Sequence, residues 1–343
     1  MKTKLFFYTL SLLALLLTPN ANTSAVIAQG VKVIVIDPGH GGNFPGASYK
    51  GVEEKTVVLS VAKRLGALIN KRNPDIKVVY TRTTDKHLST NLKTDLGMRS
   101  KIASEAGGDL FISIHANAAS STAAYGAETI IMGESTLEQS RNDAALYEAN
   151  REDLLDMSDD KTAAIVRAHI QNLQYTYGEY SEALARQIQI GYGKYGRKLR
   201  ALRRQPIMVL YGTDMPCVLT EIGFLSNDKE RAYLNSASGQ QEVAESIYSG
   251  ISAYIQMVNK TTAAQNAAPQ PTSGYAIQIL SSAKILNQGD KQFKSYRNKV
   301  WHKVVEGRFK YKYCIGKYAT RAEAERALKG VKHEFKDAFV VTY

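Results

Sequence analysis

Two histidines and two glutamates stand at positions where an α/β protein can do chemistry. His40 and His115 each follow an apolar, β-rich run, and Glu221 follows a third such run. Glu54 falls in the first turn of a predicted helix after a glycine-rich loop, where the helix dipole favours a carboxylate. Two histidines and a carboxylate form a catalytic zinc set with one position open for water, and a further glutamate can act as general base. The sequence therefore predicts a hydrolytic zinc site.

Spacing alone leaves alternatives open at this site. Glu53 could replace Glu54 as the third ligand, and a histidine at a strand end can also be a hydrogen-bonded structural residue. Four further histidines lie in a polar loop, in a helical segment and near the C-terminus, outside the pattern: His87, His169, His302 and His333. The two cysteines, Cys217 and Cys314, form neither a disulfide framework nor a CxxC metal site, so we expect them to be buried small residues.

The elements that must position these residues are short strands alternating with helices. We predict strands at 31–36, 77–81, 110–114, 128–132 and 217–220, and helices at 53–70, 96–106, 181–194 and 242–258. This alternation indicates βαβ units, so the predicted fold class is α/β, a mostly parallel sheet with helices on both faces. Ligands of such sheets bind at the carboxyl ends of the strands, which is where the strand-end candidates lie.

Five motifs, met in the same order, carry a resemblance to a family of cell-wall hydrolases. They are VIVIDPGHGG at 33–42 with Gly46-Ala47, Gly51 with Glu54-Lys55, TRTTD at 81–85, SIHAN at 113–117 and LTEIGFLSN at 219–227. Over about residues 31–257 the chain resembles the zinc-dependent N-acetylmuramoyl-L-alanine amidases of the amidase 3 type. The resemblance implies cleavage of the amide between N-acetylmuramic acid and L-alanine in peptidoglycan.

The same resemblance implies roles for individual residues. The implied zinc ligands and the implied catalytic glutamate are, in that order, His40, Glu54, His115 and Glu221. Glu54 is selected over Glu53, because the family's ligand immediately precedes the lysine that Lys55 matches. Asn117 and Arg82 are candidates for contacts with the substrate or with the ligands. Their alternatives are an asparagine that stabilises a turn and an arginine in a structural ion pair.

Residues 133–178 form an interval between a predicted strand and the next helix that is longer than a simple connection needs. Its first part, 133–160, is rich in Asp and Glu, with only Arg141 and Arg151 in opposition. One interpretation is a solvated helical flap. The other is a regulatory element, as in division amidases of the same family that carry an inserted helix. In this interpretation the segment covers the zinc cleft, with a carboxylate such as Glu138 or Glu148 at the metal, until a protein activator moves it.

The N-terminus is typical of a secretory signal peptide. Lys2 and Lys4 precede the apolar run 5–17, which is too short to span a bilayer, and small residues follow with cleavage expected after Ala25 or Ala28. We therefore expect residues 1–28 to be removed and the catalytic domain, 29–258, to be exported to the periplasm. No further apolar run is long enough for a transmembrane segment in the mature chain.

The C-terminal part of the chain is a separate, basic domain. Residues 259–273 have the Ala, Gln, Asn, Thr and Pro composition of a linker. Residues 274–343 carry most of the chain's net charge of +12, which suggests a polyanionic partner. Nothing else in the sequence indicates nucleic acid, so we do not expect a nucleic-acid partner. The order predicted for 274–343 is βαββαβ, a small α+β, ferredoxin-like domain, with strands at 275–280, 301–305, 311–315 and 338–342 and helices at 288–299 and 321–331.

Three short motifs of this domain are similar to the SPOR domain, which binds glycan strands stripped of peptides at division sites: GKYAT at 316–320, AEA at 322–324 and AFVV at 338–341. The resemblance implies denuded glycan as the domain's ligand. Gln278, Ser281, Trp301 and Lys303 could line a sheet face suited to sugars, although each could equally belong to an ordinary strand face.

The sequence as a whole predicts a secreted zinc amidase of peptidoglycan with a glycan-binding domain, acting in the periplasm at the division septum and in daughter-cell separation. Two alternatives remain. One is a non-catalytic wall-binding or regulatory protein on an amidase scaffold. The other is a zinc peptidase that cuts the stem peptides.

Overall fold

The computed structural model describes residues 30–134, 154–155, 157–267 and 274–343. These residues form two compact units, a larger one within 30–267 and a smaller one of 274–343. The predicted signal peptide lies outside the described residues, as do Glu138 and Glu148, the carboxylates that one of the two interpretations places over the site.

A six-stranded sheet forms the centre of the larger unit. Its strands are β1 (Val33–Pro38), β4 (Lys77–Tyr80), β5 (Leu110–Asn117), β6 (Ala127–Met132), β7 (Leu199–Gln205) and β8 (Cys217–Phe224). Strands β2 (Ser48–Tyr49) and β3 (Val52–Glu53) form a separate hairpin. The spatial order is β4-β1-β5-β8-β6-β7, and every neighbouring pair is parallel except β6 with β8. The predicted mostly parallel sheet is confirmed.

Helices cover both faces of this sheet, as predicted. They are α1 (Glu54–Arg72), α2 (Leu92–Glu105), α3 (Asp160–Lys194), α4 (Met208–Tyr211), α5 (Asp228–Leu234) and α6 (Ala237–Ala267). Successive strand residues point to opposite faces, so Ile34 and Ile36 of β1 join a core with α1 and α6, whereas Val35 joins a second core with α2 and α4.

Helix α1 shows how the sequence fixes the site's geometry. All six apolar residues that its periodicity placed on one side are buried: Val57, Val58, Val61, Leu65, Leu68 and Ile69. Burying this stripe against the sheet fixes the helix in rotation and position. Because Glu54 is the first residue of α1, the packing also fixes where that carboxylate points.

Two predicted boundaries are wrong. Helix α3 begins at Asp160 and not near 181, and Val166, Ile170 and Leu173 pack in the core, so residues 160–178 belong to this helix rather than to an inserted connection. Helix α6 continues to Ala267, so residues 259–267 are helical and not linker. Ala and Gln favour helix, and the first proline of this stretch, Pro269, comes only after Ala267.

Strand β7 was not predicted. Its sequence, LRALRRQ, shows neither an apolar run nor a clean alternation of apolar and polar residues. It lies at the edge of the sheet beside β6, and its burial falls on Arg203 and Gln205, which are 8% exposed each. Arg203 is buried 3.2 Å from Glu128 of β6, a partner distant in sequence that local pattern does not reveal.

The smaller unit is a four-stranded antiparallel sheet with one α-helix. Its elements are β9 (Tyr275–Ser282), β10 (Val300–Val304), β11 (Tyr311–Tyr318), α7 (Arg321–Val331) and β12 (Phe339–Thr342), and the strand order is β10-β11-β9-β12. Helix α7 begins with a capping box between Thr320 and Glu323. The small α+β fold is as predicted, with its own core that includes Ile277, Tyr313 and Ile315.

The first predicted helix of this unit, 288–299, is wrong. The chain forms a short 3-10 helix at Lys291–Tyr296 instead, interrupted at Lys294, whose φ of 51° lies in the left-handed region. An α-helix cannot continue through such a residue. Among the described residues, no helix is both long and apolar enough to cross a membrane.

Candidate metal centre

Three buried side chains converge at the carboxyl ends of β1 and β5. His40 Nε2 lies 3.2 Å from Glu54 Oε1, and His115 Nδ1 lies 3.1 Å from the same oxygen. One ligand atom from each residue lies within 4.8 Å of the others. Within the part of the chain that the structure describes, no other group of three His, Cys, Asp or Glu side chains converges in this way. We call His40, Glu54 and His115 the His-Glu-His cluster.

Main-chain donors orient the carboxylate of the cluster. Glu54 Oε1 accepts a hydrogen bond from the Ala116 N–H at 2.9 Å, and Oε2 accepts one from the Ala47 N–H at 2.8 Å. Burial alone raises the pKa of Glu54, but attraction to His40 and hydrogen bonds from both histidines outweigh it and hold that pKa below the ordinary range of a glutamate. Glu54 therefore remains an anion, as a metal ligand must.

Two glycines leave the space that the cluster occupies. A Cβ on Gly39 would lie 2.4 Å from Cε1 and Nε2 of the His115 ring, and a Cβ on Gly46 would lie 2.4 Å from Glu54 Oε2. Gly46 also has a φ of 65°, a conformation that glycine adopts easily. Gly39 and Gly46 are thus explained by their close approach to the cluster.

The donor set of the cluster fits a zinc ion. Two imidazole nitrogens and one carboxylate oxygen are a catalytic zinc set, and the fourth position of a tetrahedral ion would remain for water. Glu53, which spacing alone could not exclude, is not in the cluster, because its side chain is 43% exposed and lies 3.5 Å from Lys55. None of the described contacts of His87, His169 or His302 involves the cluster.

Glu221 lies on the strand next to His115. The two residues are partners in the parallel register of β5 and β8, and Glu221 is completely buried. On its other side, Glu221 is paired in register with Glu128 of β6, which is also completely buried. The sheet therefore places one histidine and two glutamates in a row across three adjacent strands.

The other two predicted site residues are buried among protein groups. The side-chain amide of Asn117 donates from Nδ2 to Glu128 Oε1 at 2.8 Å, and its Oδ1 accepts a hydrogen bond from the Ala118 N–H. Arg82 is 1% exposed and donates to four main-chain carbonyls: those of Pro38, Gly39, Lys55 and Thr84. Burial, with repulsion from Arg99, lowers the pKa of Arg82 to about 10, so it is a cation at neutral pH.

Sequence reasoning missed a buried charged network beside the cluster. Asp37, at the end of β1, accepts from Thr81 Oγ1 at 2.5 Å, Ser113 Oγ at 2.7 Å and Arg99 Nη1 at 2.9 Å. Arg99 also donates from Nε to Asp95 Oδ1 at 2.8 Å. The available signal was Asp37 itself, a carboxylate at the end of a strand that is otherwise apolar.

A second cluster of charge that was missed surrounds Glu128. Its Oε2 lies 3.2 Å from Arg203 Nε and 3.6 Å from Arg200 Nε. Both arginines belong to β7, the strand that was not predicted. The signal that could have revealed it is Glu128 itself, because a glutamate at the start of an apolar strand needs a buried partner.

In the small unit, the four candidate glycan contacts share one sheet face. Gln278 and Trp301 both lie opposite Cys314 of β11, while Ser281 and Lys303 both lie opposite the residue two positions earlier. A bulge in β9 brings Gln278 and Ser281 to the same side, where Gln278 Nε2 donates to Ser281 Oγ at 3.2 Å. We call this side, opposite the core, the open face.

Contacts within the unit hold the aromatic group of the open face. Trp301 Nε1 donates to the Gly316 carbonyl at 2.9 Å, and the Trp301 ring meets that of Tyr343 edge-on at 5.2 Å between centroids. Lys317 Nζ lies 5.5 Å from both ring centroids. Lys303 Nζ donates to the Thr342 carbonyl at 2.6 Å. The face therefore presents an oriented indole ring among polar and cationic groups.

Comparison with known families and proteins finds similarity over the larger unit. The family model described as N-acetylmuramoyl-L-alanine amidase, Amidase_3, matches residues 34–253. The chain is 33% identical over 234 residues to the N-acetylmuramoyl-L-alanine amidase AmiC of Escherichia coli, with 65% of this chain and 52% of AmiC covered. It is 30% identical over 251 residues to AmiA of Escherichia coli K12, with 70% of this chain and 83% of AmiA covered.

Solved structures are also similar. The CwlD amidase from Clostridioides difficile, in complex with the GerS lipoprotein, shares 27% identity at a TM-score of 0.49, with 66% of this chain and 99% of that chain covered. The catalytic domain of CwlV from Bacillus (Paenibacillus) polymyxa shares 30% identity at a TM-score of 0.45, with 66% and 98% covered. The chain spans about half the length of some curated relatives, 52% of AmiC and 51% of AmiB from Haemophilus influenzae.

Proposed function

The chain belongs to the Amidase_3 family of N-acetylmuramoyl-L-alanine amidases, and we propose that it is a zinc-dependent enzyme that hydrolyses the amide between N-acetylmuramic acid and L-alanine of peptidoglycan. One observation carries the proposal. A buried His-Glu-His cluster with the donor set of catalytic zinc lies beside Glu221, a buried carboxylate on the adjacent strand. This is the arrangement that a metal-assisted hydrolase needs.

The residues of the chain divide the work of hydrolysis. Zinc bound at the cluster would polarise the scissile carbonyl and acidify the attacking water. Glu221 accepts the proton of that water at its carboxylate and passes it to the leaving amino group of L-alanine. Glu54, whose carboxylate is oriented by the N–H groups of Ala47 and Ala116, would be the third ligand of that ion. Burial of these groups strengthens their electrostatic interactions.

Product analysis tests the proposal and separates it from its alternatives. Purified sacculi are digested with the zinc-loaded protein, and the soluble products are identified by mass spectrometry. An amidase releases stem peptides with a free amino group on L-alanine. Shortened stems would show a zinc peptidase instead, and release of nothing would show a wall-binding or regulatory protein.

Single substitutions at the site, with one control beside it, test the role of each residue. Glu221→Gln is expected to keep zinc and to lower turnover by about 100-fold to 10,000-fold, the usual contribution of a general acid-base group. His115→Ala is expected to lose zinc. The control is Glu53→Gln, next to Glu54 but outside the cluster, which should keep both zinc and turnover. Near-normal hydrolysis by Glu221→Gln would remove Glu221 as the base.

We further propose that residues 274–343 form a SPOR-type domain that binds denuded glycan through the open face. Support comes from the four side chains that share this face and from the unit's positive charge, which suits anionic wall material. The test is a pull-down of the full chain, and of a chain ending at residue 267, on intact and amidase-stripped sacculi. Equal binding of the two chains to stripped sacculi would reject this role.

Export and control complete the proposal. Residues 1–28 would direct the protein to the periplasm, and targeting by the small domain would bring it to the septum. The acidic segment before α3, now bounded as 133–159, would restrain activity until a protein activator binds it. Replacing 135–153 by a short Gly/Ser segment should raise the rate on sacculi without changing zinc content. An unchanged or lower rate in a folded variant would argue against restraint.

A further inference from the structure

Two completely buried arginines reach the loop that carries His40 from different parts of the chain. Arg82 lies just after β4, and Arg99 lies on α2. Each is 1% exposed, and they are among the largest fully buried side chains of the described residues. Burying two cations side by side is unfavourable unless each is bound by acceptors. The acceptors that bind them therefore indicate the role of the two arginines.

The two guanidinium groups donate hydrogen bonds to three consecutive main-chain carbonyls. Arg82 Nε and Arg99 Nη1 donate to the Pro38 carbonyl at 3.0 Å and 2.9 Å. Arg82 Nη2 donates to the Gly39 carbonyl at 2.7 Å, and Arg99 Nη2 donates to the His40 carbonyl at 2.6 Å. Together they bind every main-chain oxygen from the end of β1 to the first ligand of the cluster.

One of the three carbonyls belongs to a residue with a strained backbone conformation. His40 has a φ of 58°, a left-handed conformation that a residue with a Cβ rarely adopts. Such a conformation persists only where the surroundings impose it, and it is common at functional sites. The backbone angles of His40 set the direction of its Cα–Cβ bond and so aim the imidazole at Glu54 Oε1. The carbonyl that Arg99 holds belongs to this residue.

Arg99 is itself fixed by two carboxylates. Its Nε donates to Asp95 Oδ1, and its Nη1 donates to Asp37 Oδ1. Asp37 is in turn held by Thr81 and Ser113. Every nitrogen of the guanidinium is therefore used in a fixed, planar geometry. A lysine carries the same charge but lacks the planar fork of donors.

We infer that Arg99, assisted by Arg82, is a positioning residue that holds His40 in the backbone conformation required for metal binding. It acts through the carbonyls of the loop, and none of its described contacts is with a ligand atom of the cluster. The inference rests on the proposed function, because it presumes that the cluster binds zinc. Its consequence is that Arg99 sets metal affinity, beyond any effect on stability.

The test measures zinc affinity in the full chain. Dissociation constants of wild type, Arg99→Lys and Arg82→Lys are obtained by competition with a chromogenic chelator, and thermal unfolding is recorded on the zinc-free proteins. The control is Arg231→Lys. Arg231 is 8% exposed and also donates to a main-chain carbonyl, that of Leu225 at 2.9 Å, but none of its described contacts is with the loop or the cluster.

We expect Arg99→Lys to bind zinc about 10-fold to 100-fold more weakly, the range seen when groups that orient metal ligands are changed. Arg82→Lys should act in the same direction, and Arg231→Lys should leave the dissociation constant unchanged even if it lowers the unfolding temperature. Wild-type zinc affinity in Arg99→Lys would overturn the inference, since Arg99 would then be merely structural. Failure of the wild type to bind zinc would instead reject the proposed function, and the inference with it.

A second variant covers the case in which Arg99→Lys does not fold. Asp95→Asn keeps Arg99 but removes the charge that fixes its Nε. With Co²⁺ in place of zinc, the visible absorption bands report the geometry of the ligands. We expect weaker binding and altered bands in Asp95→Asn. Wild-type affinity with wild-type bands would also overturn the inference.

Discussion

The His-Glu-His cluster and the open face of the small sheet differ in how far their polar side chains are buried. His40, Glu54 and His115 are at most 5% exposed, and a network of buried charges holds the loop that carries His40. On the open face, Trp301 and Lys303 remain partly exposed and bond to main-chain oxygens of their own unit. The proposed roles account for this difference, because a metal site must be shaped before its ion arrives, whereas a surface for a long glycan must stay accessible to solvent.

This difference predicts different consequences of substitution. Near the cluster, a small change in space or charge should alter metal binding and stability together, because neighbouring groups have nowhere to move. On the open face, a side chain can be removed with little rearrangement, so only ligand binding should change. The experiments below probe this contrast, from the largest expected effect to the smallest.

Gly39→Ala should abolish the site by adding a single methyl group. The added Cβ would lie 2.4 Å from the His115 ring, so the ring must move away from its present position. We expect zinc affinity and turnover to fall by at least about 100-fold, the upper range for a misplaced ligand. Metal analysis and the sacculus assay measure both.

The control for that experiment is a glycine in open surroundings. Gly97 lies within α2, and a Cβ there would meet nothing within 4 Å. Gly97→Ala should therefore keep zinc and activity, and should stabilise the protein by up to about 1 kcal/mol, as alanine does in a helix. Equal effects of the two substitutions would refute the idea that close packing at Gly39 matters.

Asp37→Asn should destabilise the larger unit in a pH-dependent way. Burial raises the pKa of Asp37, but Arg99, Thr81 and Ser113 outweigh burial and bring it below the ordinary 3.8. A carboxyl with a lowered folded pKa stabilises the fold above its unfolded pKa, and this stabilisation is lost as pH falls through the folded pKa. At neutral pH we expect a loss of about 3–5 kcal/mol, as for a broken buried ion pair.

The measurement is urea unfolding of zinc-free protein at several pH values. Circular dichroism follows both units, while fluorescence of Trp301, the chain's single tryptophan, follows the small unit alone. The gap in unfolding free energy between wild type and Asp37→Asn should be largest near pH 7 and should narrow below about pH 3.8. A gap that is constant with pH would show that the charge of Asp37 is not what stabilises the network.

Much of the larger unit could be predicted from the sequence, and the reason is local. The apolar stripe of α1 and the apolar runs that become β1 and β5 are patterns of adjacent residues, and the rule on strand ends then brings His40 and His115 together. Glu54 could not be distinguished from Glu53 by spacing, because Glu53 ends β3 and Glu54 begins α1, and a shift of one residue in this boundary would change which carboxylate faces inward.

The remaining parts of the site depend on partners distant in sequence. Arg99 has the sequence context of an ordinary helix residue, and besides Asp95 on the same helix it is bound by Asp37 and by the carbonyls of Pro38 and His40, which come from β1 and the loop after it. Strand β7 has the same character, because its arginines are buried against Glu128 of β6. Local sequence gives no warning that a charged side chain will find its counter-ion inside the protein.

Trp301→Ala should weaken glycan binding without affecting catalysis. The ring is partly exposed on the open face and fixed by Gly316 and Tyr343, so it can stack on a sugar at little loss of conformational entropy. We expect binding to amidase-stripped sacculi to weaken by about tenfold, which corresponds to about 1.4 kcal/mol. Zinc content and the rate on a small muramyl-peptide should not change.

The control for Trp301 is an aromatic residue elsewhere in the same unit. Phe309 is 50% exposed in the turn between β10 and β11, outside the strands that form the open face. Phe309→Ala should leave sacculus binding unchanged. If it weakened binding as much as Trp301→Ala, the open face would lose its claim to be the binding surface.

The smallest effect is expected at an ion pair that has a buried counterpart. Arg321 and Glu325 on α7 are four residues apart and 2.8 Å from each other, as are Asp95 and Arg99 on α2. The pair on α7 is 69% and 54% exposed, whereas that on α2 is 2% or less exposed. In water, charges are screened and ordering two long side chains opposes the attraction, so the two pairs should differ greatly in their effect on stability.

Glu325→Gln should therefore leave the urea midpoint of the small unit, followed by Trp301 fluorescence, unchanged within error. Asp95→Asn should lower the stability of the larger unit by about 3–5 kcal/mol, because the substitution leaves a buried cation without one of its counter-ions. Raising the salt concentration should change neither result, since one pair contributes nothing to screen and the other is shielded from solvent. Comparable losses at the two sites would mean that burial does not determine the strength of these pairs, and the contrast between the two regions would fail.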